Sequence, residues 1–302
     1  MKVAYVNAIG GASGDMLLAS LVDCGLDIDA LSETLNMIGA SGFQLEPRTE
    51  DRQGVSGTYL DVSIDQADNR KRTPAEFIEL VKVASISEKS KSRCIEVFNL
   101  IGEAEGALHG EDPGDVHLHE LGTIDTLIDV AGVVLGLEMM SLEKLYCSPL
   151  PTGSGTVKTQ HGLLPVPAPA TAFMMAAKKI PCYPPPTHLP STGEMVTPTG
   201  MALLATLADF SQPVMNISTI GYGLGTRNPK NYPNVLSFWI GEPVVSENPK
   251  GIVLLETNLD DTTGETLGYV QENLLEMGAR DVWFTPIPVS YTHLTLPTNR
   301  EV

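Results

Sequence analysis

The chain has 302 residues, and its 37 acidic against 19 basic side chains leave a net charge of -18. Such a surface repels phosphate backbones and argues against a nucleic-acid partner, while 42% apolar residues supply a full core. Four scattered cysteines, Cys24, Cys94, Cys147 and Cys182, form no CxxC pair, which argues against a zinc knuckle, a redox motif or a disulfide framework.

The first residues lack the apolar run of a signal peptide. No stretch reaches the roughly 20 apolar residues needed to span a bilayer. The expectation is a soluble, cytoplasmic protein with no membrane partner.

In chain order, residues 3–9 read as a buried strand, a Gly-rich turn follows, and residues 15–24 read as a helix. A second helix is predicted over 31–38 and a strand over 55–64, where apolar residues alternate. Pro74 suits a first helical turn and starts a helix to residue 83. Ile95, Phe98, Ile101, Ala104 and Leu108 place a helix over 87–108. A turn at 110–115 leads to Val116-His117-Leu118-His119-Glu120, and a strongly apolar helix over 123–140 is capped by Thr123. Residues 148–198, rich in Pro and Gly, predict extended loops around one helix at 168–177. A helix over 199–208 follows, and strands at 214–220 and 235–240 flank a Gly-rich turn.

A second unit begins near residue 249. A strand at 252–256, an amphipathic helix at 262–277 and a strand at 282–284 make half of a split βαβ unit. The pattern then stops, so 289–302 is expected to be a non-native tail on a truncated chain, and His293 carries no functional weight. The fold class is α/β (α+β): a mixed sheet with helices over 1–248, and an incomplete ferredoxin-like domain over 249–288.

The densest chemistry lies between His109 and Asp129. It holds His109, His117 and His119 among the six histidines, with Glu111, Asp112, Asp115, Glu120, Asp125 and Asp129. In an extended segment His117 and His119 face the same way. Asp125 and Asp129 share a face of an otherwise apolar helix, where a carboxylate is costly unless paired or bound to metal. Imidazole with carboxylate suits nickel, zinc, iron or manganese. The bland alternative is a local cap beside solvated loop histidines.

The turn Gly10-Gly11-Ala12-Ser13-Gly14-Asp15 opens a helix and is either a phosphate cradle or a tight turn. It is neither a Walker motif nor GxGxxG. Arg227, after the glycines at 221, 223 and 225, can grip phosphate as a fork or form a surface ion pair.

Taken in order, these motifs resemble one family. They are Gly10 to Met16, Val116 to Gly122 with Asp125 and Asp129, His161-Gly162 through Pro167-Ala168-Pro169-Ala170-Thr171, Thr197-Pro198-Thr199-Gly200, Gly221 to Thr226, and Thr257-Asn258-Leu259-Asp260-Asp261. The chain resembles the nickel-insertion protein of nickel-pincer cofactor biosynthesis (LarC), a nickel chelatase of the lyase class. The resemblance implies insertion of nickel into pyridinium-3,5-bisthiocarboxylic acid mononucleotide, with CTP and magnesium or manganese, for lactate racemase. It places CTP in the C-terminal domain, which this chain would largely lack. Many members carry a His-rich loop before the helix at Pro74, whereas here stand Asp65-Gln66-Ala67-Asp68-Asn69-Arg70-Lys71-Arg72.

The resulting expectations are specific. His117, His119 and Glu120 or Asp125 bind the ion. Glu120, Asp15 or His119 takes the ring proton. Gly11, Ser13 and Gly14, or Arg227, hold the substrate phosphate. Competing readings are a non-catalytic nickel carrier or store, a metal-dependent phosphoesterase, and a scaffold with a solvated polar loop. The lactate racemase apoprotein is an expected partner, and homo-oligomerisation stays open.

Overall fold

The computed structural model describes residues 1–40, 42–64, 70–185, 191–230, 232–244, 254–259 and 262–286. They fall into two units, Met1–Val245 and Ser246–Val302. The first begins with β1 (Val3–Asn7), α1 (Gly14–Asp23), α2 (Ile28–Met37), β2 (Phe43–Arg52), β3 (Val55–Ile64), α3 (Pro74–Val83) and α4 (Glu88–His109). A 3-10 turn (His119–Gly122) leads into α5 (Ile124–Met139), β4 (Lys144–Cys147), β5 (Leu150–Pro151), β6 (Thr156–Thr159) and β7 (Gly162–Pro165). Then come α6 (Pro169–Ala177), β8 (Cys182–Tyr183), α7 (Pro198–Leu207), β9 (Ala208–Asp209), β10 (Met215–Leu224) and β11 (Val235–Pro243).

Seven strands form a mixed sheet in the order β2-β3-β10-β11-β1-β4-β9. β1 runs antiparallel to β11 and parallel to β4. Its Val3, Ala4, Tyr5 and Val6 are all buried, as a near-continuous apolar run in a covered strand requires. The β2–β3 hairpin turns on Gln53 and Gly54, both at positive φ, the geometry that matches strand twist in a two-residue loop. α1 packs on β10, β3 and β11 and also on α5. Asp23, at its end, accepts hydrogen bonds from the Thr58 hydroxyl (2.7 Å) and the Tyr222 N–H (2.8 Å), tying the helix to β3 and β10.

The mixed sheet with helices is present as the pattern predicts. α3 has the Pro74 start, with Thr73 and Glu76 forming a reciprocal capping box. Several details differ in this unit, β4 and the β6–β7 hairpin among them. β2, between α2 and β3, escaped prediction because its sequence is mostly charged and polar, and most of its side chains are exposed. Thr123 precedes α5 without a side-chain cap, since its hydroxyl donates backwards to the Glu120 carbonyl at 3.5 Å. The glycines at 221 and 223 are not in a turn but inside β10. A Cβ on Gly223 would lie 1.9 Å from the Met16 carbonyl oxygen, so these glycines let the α1 backbone press directly on the strand.

In the second unit, α8 (Gly264–Glu276) forms with Thr263 as its cap. The flanking strands expected for a ferredoxin-like start are absent among the described residues, since 254–259 and 281–286 carry no strand. A strand needs a hydrogen-bonding neighbour, and these residues pair with none in the sheets. Ile252, the loop at 65–69 and the tail at 289–302 lie outside the described residues. No helix among the described residues is long and apolar enough to cross a membrane.

Candidate metal centre

Three imidazoles from three separate elements converge in the first unit. His109 is the last residue of α4, which Gly110 ends in the left-handed conformation. His119 opens the 3-10 turn with a φ of 47°, a left-handed value costly outside glycine and typical of sites that over-determine their backbone. His161 sits at the tip of the β6–β7 hairpin, where its N–H donates to the Thr159 hydroxyl at 3.1 Å. Ring centroids are 4.2 Å apart for His119 and His161, and 5.0 Å for His109 with each of the others. One ligand atom from each lies within 4.8 Å of the other two. Nitrogens sharing an ion at a bond length of about 2.1 Å stand roughly 3 Å apart, so small ring rotations close the set.

The surroundings favour a cation. The trio meets at the C-terminal end of α4, the negative pole of its dipole. Glu105, one turn back, holds its carboxylate 3.4 Å from His109 Nε2, the partner that orients a ligating imidazole. Burial pushes the Glu105 carboxyl up, and His109 and His161 pull it back. Burial lowers His119, and the like charge of His161, His109 and His117 lowers it further. Its ring is therefore neutral where an ordinary histidine protonates, and its buried Nδ1 has no hydrogen-bond partner among the described residues. The neutral imidazole is the form that binds metal.

Glu120 joins this trio to a second feature. Its carboxylate accepts the Gln160 N–H at 2.8 Å, pinning the hairpin tip so that His161 reaches His119. Glu120 also lines a cleft of about 370 Å³ together with Asp15, Asp125, Asp129, Glu194 and the start of α7. Asp129 is 7% exposed, and its Oδ1 has no partner among the described residues. Burial raises Asp129 well above the ordinary carboxylate range, and Asp125 and Asp15 add to the rise. Asp125 is raised by burial and by Asp15. Glu194 is raised by burial and by Glu120, against the pull of Arg227.

The residues singled out in the sequence land as follows. His117 stands exposed between buried Val116 and Leu118 and is outside the trio. The chain turns sharply at His119, so the two-residue spacing does not align the rings. Glu120 is beside the trio, while Asp125 belongs to the acidic end of the cleft. Gly11 is buried with its α-carbon against the Met195 carbonyl, where a Cβ would come to 2.2 Å. Ser13 caps α1 and donates to Asp15, and Gly14 faces the Asp129 carboxylate, which a Cβ would strike at 2.2 Å. The Gly-rich turn is thus lined by acids, which disfavour a bare phosphate. Arg227 lies over Gly193 and donates to the Thr192 carbonyl at 3.4 Å, behind Glu194. His161 stood out in the sequence only as part of the His161-Gly162 motif, His109 only as a member of the histidine-rich stretch, and Glu105 not at all; none of the three was assigned to the ion.

A protein-family model described as "Nickel insertion protein" matches residues 4–289. The chain belongs to the nickel insertion protein family. Curated relatives with the provisional name nickel insertion protein include those of Thermomicrobium roseum, 41% identical over 95% of this chain and 70% of the relative. Those of Geotalea daltonii and Dictyoglomus thermophilum are 39% and 38% identical, each over 95% of this chain and 73% of the relative. No solved structure matches the chain.

For a nickel insertion protein the cysteines are informative. All four are free thiols, and burial pushes Cys24, Cys94 and Cys147 up to about 12. None of them belongs to the candidate centre, whose grouped donors among the described residues are the three imidazoles.

Proposed function

We propose that this chain is a nickel chelatase that carries Ni(II) on His109, His119 and His161. It delivers the ion to pyridinium-3,5-bisthiocarboxylic acid mononucleotide in the adjoining cleft, making the nickel-pincer cofactor of lactate racemase in the cytoplasm. The observation that carries the reading is the meeting of three imidazoles beside an acid-lined cleft in a chain of this family.

Insertion forms one nickel–carbon and two nickel–sulfur bonds, and the ring carbon gives up its proton to a base. Glu120 is the base this reading favours, because it borders both the imidazoles and the cleft. Asp15 is engaged by Ser13 and by the Met16 N–H, and His119 is committed to the ion. Soft sulfur then outcompetes imidazole for nickel. CTP with magnesium or manganese, implied by the family resemblance, finds no fit at the Gly10–Asp15 turn, whose carboxylates face the space a phosphate would take.

The test is an insertion assay on the full-length protein with the mononucleotide, CTP and limiting nickel, read by activation of lactate racemase apoprotein. The triple variant His109→Ala/His119→Ala/His161→Ala should neither retain nickel nor activate the racemase. Unchanged insertion by the triple variant overturns the reading. Nickel binding by the wild type without insertion leaves a carrier in its place, and phosphate-ester turnover without nickel leaves a hydrolase.

A further inference from the structure

His161 reaches the trio on a support unlike those of its partners. Among the described residues β6 and β7 pair with each other alone and stand outside the seven-stranded sheet. No side chain from Thr156 to Pro165 is buried, and Leu163 is 70% exposed. Val157 and Leu164 are partners across the ladder, and neither joins the main hydrophobic core. A lone two-stranded hairpin is marginal in water, and a segment with so little buried apolar surface opens at low free-energy cost. The root is firm by contrast. Ser154 exchanges backbone hydrogen bonds with Gly193 at 2.9 and 3.4 Å, and Ala168 is buried. Between the root and β6 stands Gly155, an exposed glycine at a φ of 88° and suited to a pivot. At the tip, the 2.8 Å bond from the Gln160 N–H to the Glu120 carboxylate is the one hydrogen bond from residues 156–165 to the rest of the first unit among the described residues.

We infer that the β6–β7 hairpin is a hinged arm that swings His161 on and off the other two imidazoles, with the Gln160–Glu120 hydrogen bond as its latch. The inference rests on the reading that the three imidazoles hold nickel. His109 is fixed at the end of α4, and His119 follows buried Leu118 into the 3-10 turn, so His161 is the ligand that can leave without disturbing the core. With the arm latched, the ion has three nitrogens. As the arm lifts, the nickel–nitrogen bond to His161 breaks with its electron pair left on the nitrogen. A sulfur of the substrate takes the vacated position by donating its own pair, and no electron passes to or from the metal. Glu120 also borders the cleft, so a substrate entering there meets the side chain that holds the arm shut.

Hydrogen–deuterium exchange of the whole chain, read by mass spectrometry with and without Ni(II), tests the arm. Without nickel, amides of residues 156–165 should exchange far faster than those of β1 and β11. Ni(II) should slow exchange in the arm by about tenfold or more and leave β1 unchanged. In His161→Ala the arm should stay fast at any nickel concentration. Gln160→Pro removes the latch donor alone. Gln160 is the first of two turn residues, follows a strand residue and has a negative φ, a position that suits proline. Ni(II) should then dissociate about tenfold faster into excess chelator. A nickel-free arm as protected as β1, an arm unchanged by bound nickel, a nickel-slowed arm in His161→Ala, or unchanged dissociation from folded Gln160→Pro each overturns the inference and leaves the imidazole centre standing. Failure of the wild type to bind Ni(II) removes the imidazole centre, and the arm's role with it.

Discussion

His119 and His161 stand edge to face with ring centroids 4.2 Å apart, although one opens a 3-10 turn and the other tips a hairpin. Glu120 enforces the meeting by accepting the Gln160 N–H. The proposed function needs a site that gathers an ion from solution and surrenders it to the sulfurs of the proposed substrate. Imidazoles from a helix end, a 3-10 turn and a hairpin tip, with no cysteine in the group among the described residues, suit that balance.

Single substitutions should separate the trio from its neighbour in sequence. His109→Ala, His119→Ala and His161→Ala should each weaken Ni(II) binding by about tenfold or more. His117→Ala should leave it nearly unchanged, because His117 faces solvent outside the group. Isothermal titration calorimetry with Ni(II) checks both halves.

Glu120→Gln keeps the shape of the side chain and its hydrogen bond to the hairpin but removes the carboxylate proposed as the base. Nickel affinity should fall by less than about threefold, and the rate of insertion should fall by about 100-fold. The comparison needs titration and single-turnover insertion on the same preparation.

The lowered His119 implies a direction for acid stability. A group whose folded value is depressed favours the native state above its ordinary value and loses that contribution as pH falls through the folded value. The nickel-free protein should therefore lose thermal stability as pH drops below the ordinary imidazole value of 6.5. His119→Ala should flatten this part of the profile, as thermal melts across that range will show.

Asp129 has the opposite sign. Its folded value is raised by burial, Asp125 and Asp15, so its contribution is favourable below the ordinary carboxylate value of 3.8 and is lost as pH rises through the folded value. Asp129→Asn should raise Tm at neutral pH, by about 2–4 °C for each kcal/mol of repulsion relieved. The difference should vanish at acidic pH, where the Asp129 carboxyl is protonated in both states. Thermal melts of both proteins across that pH range measure the two.

Gly223→Ala tests the contact that positions α1. The new Cβ would lie 1.9 Å from the Met16 carbonyl, part of a helix backbone that has no room to retreat. A loss of about 3 kcal/mol or more is expected, read as a lowered midpoint in chemical denaturation.

Much of the fold was legible because its signals are local. Pro74 after Thr73 and before Glu76 writes a helix start in four residues, and Val3-Ala4-Tyr5-Val6 writes a covered strand. β2 was invisible because a polar exposed edge strand resembles a loop, and its identity comes from pairing with β3. Gly221 and Gly223 looked like a turn because their reason is tertiary, the backbone of α1 lying across them. The site was half legible for the same reason. A histidine-rich stretch announces metal chemistry, but the left-handed residue His119 breaks the alternation that would have paired it with His117. His161 arrives from a distant hairpin held by one hydrogen bond, and no spacing in the sequence encodes that.

The most direct measurement is the position of nickel itself. Crystals of the nickel-loaded chain, with anomalous scattering recorded at the nickel absorption edge, should show an ion bonded at about 2.1 Å to one nitrogen each of His109, His119 and His161. An ion bound at His117, or among Asp15, Asp125 and Asp129 with the three imidazoles free, would contradict the account.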